Sequence, residues 1–258
     1  MTERVETYDV SEHPGIDISL IAGDVIVKSW NENRIMIVLS GHPETVESTT
    51  IDATQDSVAI RSNADKRSRR FFARAMDVVV TTPPGGIVRI NSGSGDVRVR
   101  LRVAEVEVNS ASGDVHIEEE VGHVRVKVAS GRVTVAYVEG DAEVSSANGD
   151  IKIGHAADAV VTTASGTIVL GTIESSARVK SASGDVRVRD FRGSDLVVKT
   201  MSGDAILGLA PGRTVNARIT TLSGDFRNKI KPTDGDKTVR MTLIVKSFSG
   251  DVILRSAG

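Results

Sequence analysis

Ser94-Gly95-Asp96-Val97 returns, whole or nearly so, down most of a 258-residue chain. The glycines of successive copies are Gly95, Gly113, Gly131, Gly149, Gly166, Gly184, Gly203, Gly224 and Gly250, spaced 18, 18, 18, 17, 18, 19, 21 and 26 residues apart. A related Gly23-Asp24-Val25 stands earlier. A fixed period of this size marks stacked supersecondary units, none of which can bury its apolar face alone.

The residues around each glycine alternate. Two and four positions after it come pairs such as Val97/Val99, Val115/Ile117, Ile151/Ile153 and Val186/Val188, with Arg98, His116, Lys152 and Arg187 between them. Seven and five positions before it come Val88/Ile90, Val106/Val108, Val124/Val126 and Leu196/Val198. Period-two alternation describes a strand with one buried face. Each repeat is therefore two strands meeting at a Ser-Gly-Asp corner. One hairpin of this size is marginal in water, whereas stacked coils cover one another's backbone edges. Outward residues Arg89, Glu107, Arg125 and Glu143 alternate in sign, so in-register stacking sets each against an opposite charge.

Glycine gives the corner its backbone freedom, and the flanking Ser and Asp can bond local backbone groups. The column two before the glycine is small early (Gly93, Ala111, Ala129, Ala147, Ala164, Ala182) and large late (Met201, Leu222, Phe248). This predicts a corner that widens toward the C-terminus.

Composition agrees with a folded β protein: 40% hydrophobic, 26% charged and only 3% aromatic, so aliphatic side chains do the packing. A formal charge of −2 argues against bulk electrostatic binding of nucleic acid. With no cysteine there are no disulfides or thiolate metal sites. The opening Met1-Thr2-Glu3-Arg4-Val5-Glu6 lacks an apolar signal region, and no stretch approaches the roughly 20 apolar residues of a membrane helix. The expected location is cytoplasmic.

Residues 1–82 are β-patterned but aperiodic, and read as an N-terminal cap with the first coil or coils. Within them Lys66, Arg67, Arg69, Arg70, Phe71, Phe72 and Arg74 form a basic run with two aromatics. It is a candidate contact loop for an anionic membrane surface or nucleic acid, set against the simpler reading of a solvated loop. Pro83-Pro84-Gly85-Gly86 marks the passage into the regular solenoid, residues 83–258, because proline lacks a ladder donor. The long last step leaves room for a loop or hairpin insertion at 228–237.

No catalytic or cofactor site is legible. Asp96, Asp114, Asp150, Asp185, Asp204, Asp225 and Asp251 could stack, but Arg132 and Thr167 break the column, and turn capping accounts for the aspartates better than calcium. His116, His123 and His155 lack zinc-site spacing. No serine has a nucleophile's context, so no metal, cofactor or catalytic residue is assigned. The outward positions turn apolar at Val160, Val169, Val197, Ile206, Ile244 and Ile253, a candidate apolar contact face.

The runs Asp77-Val78-Val79-Val80-Thr81-Thr82-Pro83-Pro84-Gly85, Ser94-Gly95-Asp96-Val97 and Ala22-Gly23-Asp24-Val25, with Trp30 downstream, resemble the bacterial putative-adhesin family of unknown function. The resemblance covers nearly the whole chain; it implies a β-solenoid and brings no catalytic residues. The fold expected is all-β: a single-chain β-solenoid (β-helix) of about 18 residues per coil with an irregular N-terminal β cap. The function expected is a non-enzymatic scaffold or binding module that makes protein contacts. The alternatives are a carbohydrate-active or carbohydrate-binding solenoid, and a structural protein that self-assembles through a solenoid end or apolar face into a homo-oligomer.

Overall fold

The computed structural model describes residues 1–62, 75–230 and 240–257. The chain is a β-solenoid, nearly all strand, in two compact units, Met1–Gly131 and Arg132–Gly258. Its one helix among the described residues is the short Pro43–Ser48.

In the first unit the corners stack in the order Gly23, Gly95, Gly113, Gly131. The strand Val103–Ser112 lies parallel between Ile87–Ser94 and Val115–Ser130, with Val106 opposite both Val88 and Val124. Equivalent residues thus face the core in every coil, and Val88, Val106, Val124, Val97, Val99 and Val115 are all buried. Arg89 stands directly opposite Glu107, 3.7 Å away, and Glu107 opposite Arg125, as the sign alternation requires.

The corner is bonded between coils rather than within one. Gly95 N–H donates to Ser112 O and Gly113 N–H to Ser130 O. Asp114 N–H donates to Asp96 Oδ1 at 3.0 Å, and Asp96 N–H to Asp24 Oδ1 at 2.8 Å. Each aspartate therefore caps the turn of the neighbouring coil, giving its N–H a partner away from the regular ladder. Replacing Asp96 by Ala leaves Asp114 N–H without its acceptor and removes the Arg98 ion pair at 2.9 Å. The expected cost is about 1–2 kcal/mol in urea unfolding, and Asp96→Asn, which keeps the acceptor oxygen, costs under about 1 kcal/mol.

Residues preceding the regular coils close one end of this unit. Met76 occupies the place of a corner glycine beneath Gly23, and Asp24 N–H donates to Asp77 Oδ1 at 2.9 Å. Met76–Thr82 runs parallel to Val25–Ser29 on one side and antiparallel to Arg34–Gly41 on the other. Thr2–Asp9 then pairs antiparallel with Arg34–Gly41, and Thr50–Ala53 with Ser57–Arg61. Antiparallel strands end the parallel stack, and charged Glu3, Arg4 and Glu6 on the outermost one oppose further edge pairing.

In the second unit the stacking order departs from the sequence order. Gly184 N–H donates to Ser202 O, Gly203 N–H to Ser249 O, and Gly250 N–H to Ser223 O. Arg240–Ser249 therefore lies between Asp195–Ser202 and Thr214–Ser223, with Leu243 opposite both Leu196 and Ala217. The last coil in sequence is inserted beneath the one before it, and the Gly224 coil ends the stack. This explains its exposure: Ala217 and Asn228 stand at core-facing positions of the column yet are exposed, because no further coil among the described residues covers them.

Three residues before seven of the nine repeat glycines lies a second column that sequence reading passed over: Ser92, Ser110, Ser146, Thr163, Ser181, Thr200 and Ser247, all buried. Val128 takes the place in the Gly131 coil, and Thr221 in the Gly224 coil is only half-buried. Ser110, Thr163 and Thr200 donate to the carbonyl two residues on, at 3.1, 2.9 and 3.2 Å. Those carbonyls, of Ser112, Ser165 and Ser202, also accept the glycine N–H of the neighbouring coil. Small hydroxyl residues fit the narrow corner, and some add a donor to the corner carbonyl, whereas Ser146, Ser181 and Ser247 Oγ are buried without a hydrogen-bond partner among the described residues.

Candidate functional site

The strands leading into the corners of the second unit carry one unusual face. Along each, residues seven, five and three before the glycine point inward, so those six, four and two before it point outward. The register Thr162↔Lys180↔Lys199↔Lys246↔Thr220 sets three lysines directly opposite one another on adjacent strands, about 4.8 Å apart. Beside them runs Val160↔Arg178↔Val197↔Ile244↔Arg218. On the corner side of the lysines are Met201, Phe248 and Leu222, exposed by 64, 61 and 73%.

Like charges directly opposite on neighbouring strands repel. Elsewhere the coils match cation to carboxylate: Arg100 with Glu118 at 3.0 Å, Arg102 with Glu120 at 3.1 Å, and Arg192 with Glu174 at 3.2 Å. Among the described residues Lys180, Lys199 and Lys246 have no ion-pair partner. Asp195, on the same face two residues before Val197, accepts instead from Ser194 Oγ at 2.5 Å. Between the lysines and the apolar side chains is an open groove of about 350 Å³, lined by Lys180, Lys199, Lys246, Met201, Phe248 and corner hydroxyl residues.

The structure places the sequence candidates as follows. Lys66, Arg67, Arg69, Arg70, Phe71, Phe72 and Arg74 lie outside the described residues, as does most of the loop or hairpin expected at 228–237, whose first two residues belong to the strand Phe226–Lys229. The six apolar candidates divide between two sets of strands. Val160, Val197 and Ile244 share the lysine face, with Arg178 and Arg218 in their row. Val169, Ile206 and Ile253 lie beyond the corner in the row Lys152↔Val169↔Arg187↔Ile206↔Ile253↔Arg227. Only Val160 is exposed, by 43%; the other five are half-buried.

Met201, Leu222 and Phe248 do not widen the corner, as their column suggested; they stand outside it. Strand alternation continues through the small residues almost to the glycine, which puts position −2 on the outer face. That parity was the signal available in the sequence. A run of small and polar residues before each glycine resembled a turn and hid it.

Among the described residues no group of three or more His, Cys, Asp or Glu is placed to hold a metal ion. His155 instead stacks on Tyr137, ring centroids 4.3 Å apart. Corner carboxylates within the stack commit an oxygen to a backbone N–H, as at Asp185 to Asp204 and Asp204 to Asp251, while Asp225 on the last coil accepts from the Arg227 side chain. No helix among the described residues is long and apolar enough to cross a membrane.

The family described as Toastrack DUF4097 matches residues 15–255. No curated protein matches. Among solved structures, a putative adhesin from Parabacteroides distasonis ATCC 8503 is similar at 12% identity and a TM-score of 0.51, covering 98% of this chain and 97% of that one. A putative adhesin from Parabacteroides merdae ATCC 43184 is 13% identical over 96% and 95% of the two chains, with a TM-score of 0.49. One from Bacteroides fragilis NCTC 9343 is 15% identical over 98% and 97%, with a TM-score of 0.41. At such identities the likeness is one of fold.

Proposed function

We propose that this chain, which belongs to the Toastrack DUF4097 family, is a non-enzymatic binding scaffold making adhesin-like contacts through the lysine face of its second unit. The observation that carries this reading is the uncompensated ladder Lys180–Lys199–Lys246 beside exposed Met201 and Phe248. A scaffold of stacked coils holds such a face flat and in fixed register at low conformational cost, because each strand is ordered by its neighbours. Charge bordering exposed apolar side chains is the composition of a contact surface. The carbohydrate-active and self-assembling alternatives draw no support from the family or the structural relatives.

The test is retention of the purified chain on a bacterial cell-envelope fraction. Wild type is expected to be retained, and a Lys199→Glu/Phe248→Ser variant to be retained at least roughly tenfold less, since it reverses the central charge and removes the apolar side chain beside it. A protein partner, the sequence expectation, is examined in the same experiment by treating the fraction with protease first. Equal retention of wild type and variant would refute a role for this face.

A further inference from the structure

We infer that the lysine face of the second unit docks on the surface of a lipid bilayer containing anionic lipids. The inference rests on the binding reading above and names its partner. Charge complementarity carries it. Lys180, Lys199 and Lys246 form a row on adjacent strands, Arg178 and Arg218 flank it, and none of the five has an ion-pair partner among the described residues. The chain as a whole carries a formal charge of −2, so this concentration of cations belongs to the face and not to the composition.

Position supplies the second part of the argument. Met201, Phe248 and Leu222 lie in a row parallel to the lysines, more than half exposed, and Met201 and Phe248 border the same groove. A polyanion in water would be satisfied by the lysines alone and has no use for three exposed apolar side chains. A bilayer interface uses both: phosphate headgroups take the ammonium groups, and the apolar row reaches toward the acyl boundary. Lysine stems are long enough to lie along apolar surface while the charge stays among the headgroups. The face is a section of parallel sheet, so cations and apolar side chains meet a planar surface together.

The experiment is co-sedimentation of the full chain with vesicles of phosphatidylcholine alone, and of phosphatidylcholine mixed with phosphatidylglycerol. Binding is expected on the mixed vesicles only, weakening as salt is raised. A Lys180→Ser/Lys199→Ser/Lys246→Ser variant is expected to bind roughly 100-fold less tightly, at about a fivefold contribution for each lysine near an anionic surface. Phe248→Ser is expected to lower affinity several-fold with the salt dependence unchanged, which a purely electrostatic contact would not show. Thermal unfolding of each variant at the wild-type midpoint excludes a folding defect, and if the triple variant unfolds early, Lys199→Ser alone replaces it, with roughly fivefold loss expected. Absence of binding to mixed vesicles overturns the inference, as does equal binding by wild type and lysine variants. If vesicles fail while the envelope fraction still retains wild type and releases the Lys199→Glu/Phe248→Ser variant, the bilayer is the wrong partner and the face is still a binding site. Failure of both removes the face.

Discussion

Gly184→Ala is expected to destabilise the protein by about 3–5 kcal/mol, read as a shift in the denaturant midpoint at unchanged slope. Two effects add. Gly184 has φ of +130°, a region that L side chains rarely enter and that costs a non-glycine residue about 1–3 kcal/mol. Its new Cβ would also stand 2.2 Å from the carbonyl oxygen of Gly166 and 2.8 Å from its carbonyl carbon. Those are backbone atoms of the adjoining coil, so no side chain can swing away; the coils themselves must part. Parting them strains the bonds from Gly166 N–H to Ser183 O at 3.1 Å and from Ile168 N–H to Asp185 O at 2.9 Å. The control is Gly15→Ala, where φ is ordinary for any residue and the nearest atoms to a new Cβ lie 3.7 and 3.8 Å away. It is expected to be neutral within about 0.5 kcal/mol. A Gly184→Ala protein as stable as wild type would show that the corners are not the rigid element of the fold.

Phe191→Ala is expected to cost about 3–5 kcal/mol, with Phe191→Leu nearer 1–2. Phe191 is fully buried in a core otherwise made almost wholly of Val, Ile, Leu and Ala. It stands in register between Ile173 and Leu209 of the adjoining coils. Its ring reaches over Gly193, where a Cβ would lie 2.8 Å from Phe191 Cζ. The cavity left by alanine has little means of closing, since the backbone on both sides is fixed by the inter-coil ladder, and cost rises with the volume that fails to collapse. Thermal unfolding of the alanine variant within a degree or two of wild type would show that the coils can draw together over the gap.

The two substitutions probe different ties. One attacks the corner where coils touch backbone to backbone, the other the interior where they touch through side chains. Their sites are separate, so the double variant is expected to show the sum of the single costs.

How far the sequence reached depended on the range of the interactions involved. The alternation about each glycine is local, and the side chain at every second position has to face the same way along an extended backbone. Hence Val186/Val188 and Leu196/Val198 were placed inside from pattern alone, and they are buried. Register across coils followed from a constant spacing, as Arg89 opposite Glu107 shows. The aspartate column was legible as turn chemistry, although its carboxylates turn out to serve the neighbouring coil and not their own.

Other features were not legible. Met76 and Asp77 continue the corner column beneath Gly23 without any glycine to announce them. The lysine face was hidden too, because Lys180, Lys199 and Lys246 lie 19 and 47 residues apart in sequence, and nothing short of the stacking order shows the last two to be neighbours.

By itself, then, the order of residues determined the rung: two short strands, a glycine corner, and the assignment of each side chain to inside or outside, all set by steric rules acting over a few residues. Which rung lies against which was decided only by tertiary structure. The Gly250 coil slips between those of Gly203 and Gly224, because parallel ladder bonds and buried methyl groups are nearly the same from coil to coil, and the choice among equivalent neighbours falls to long-range packing and the length of the connecting chain.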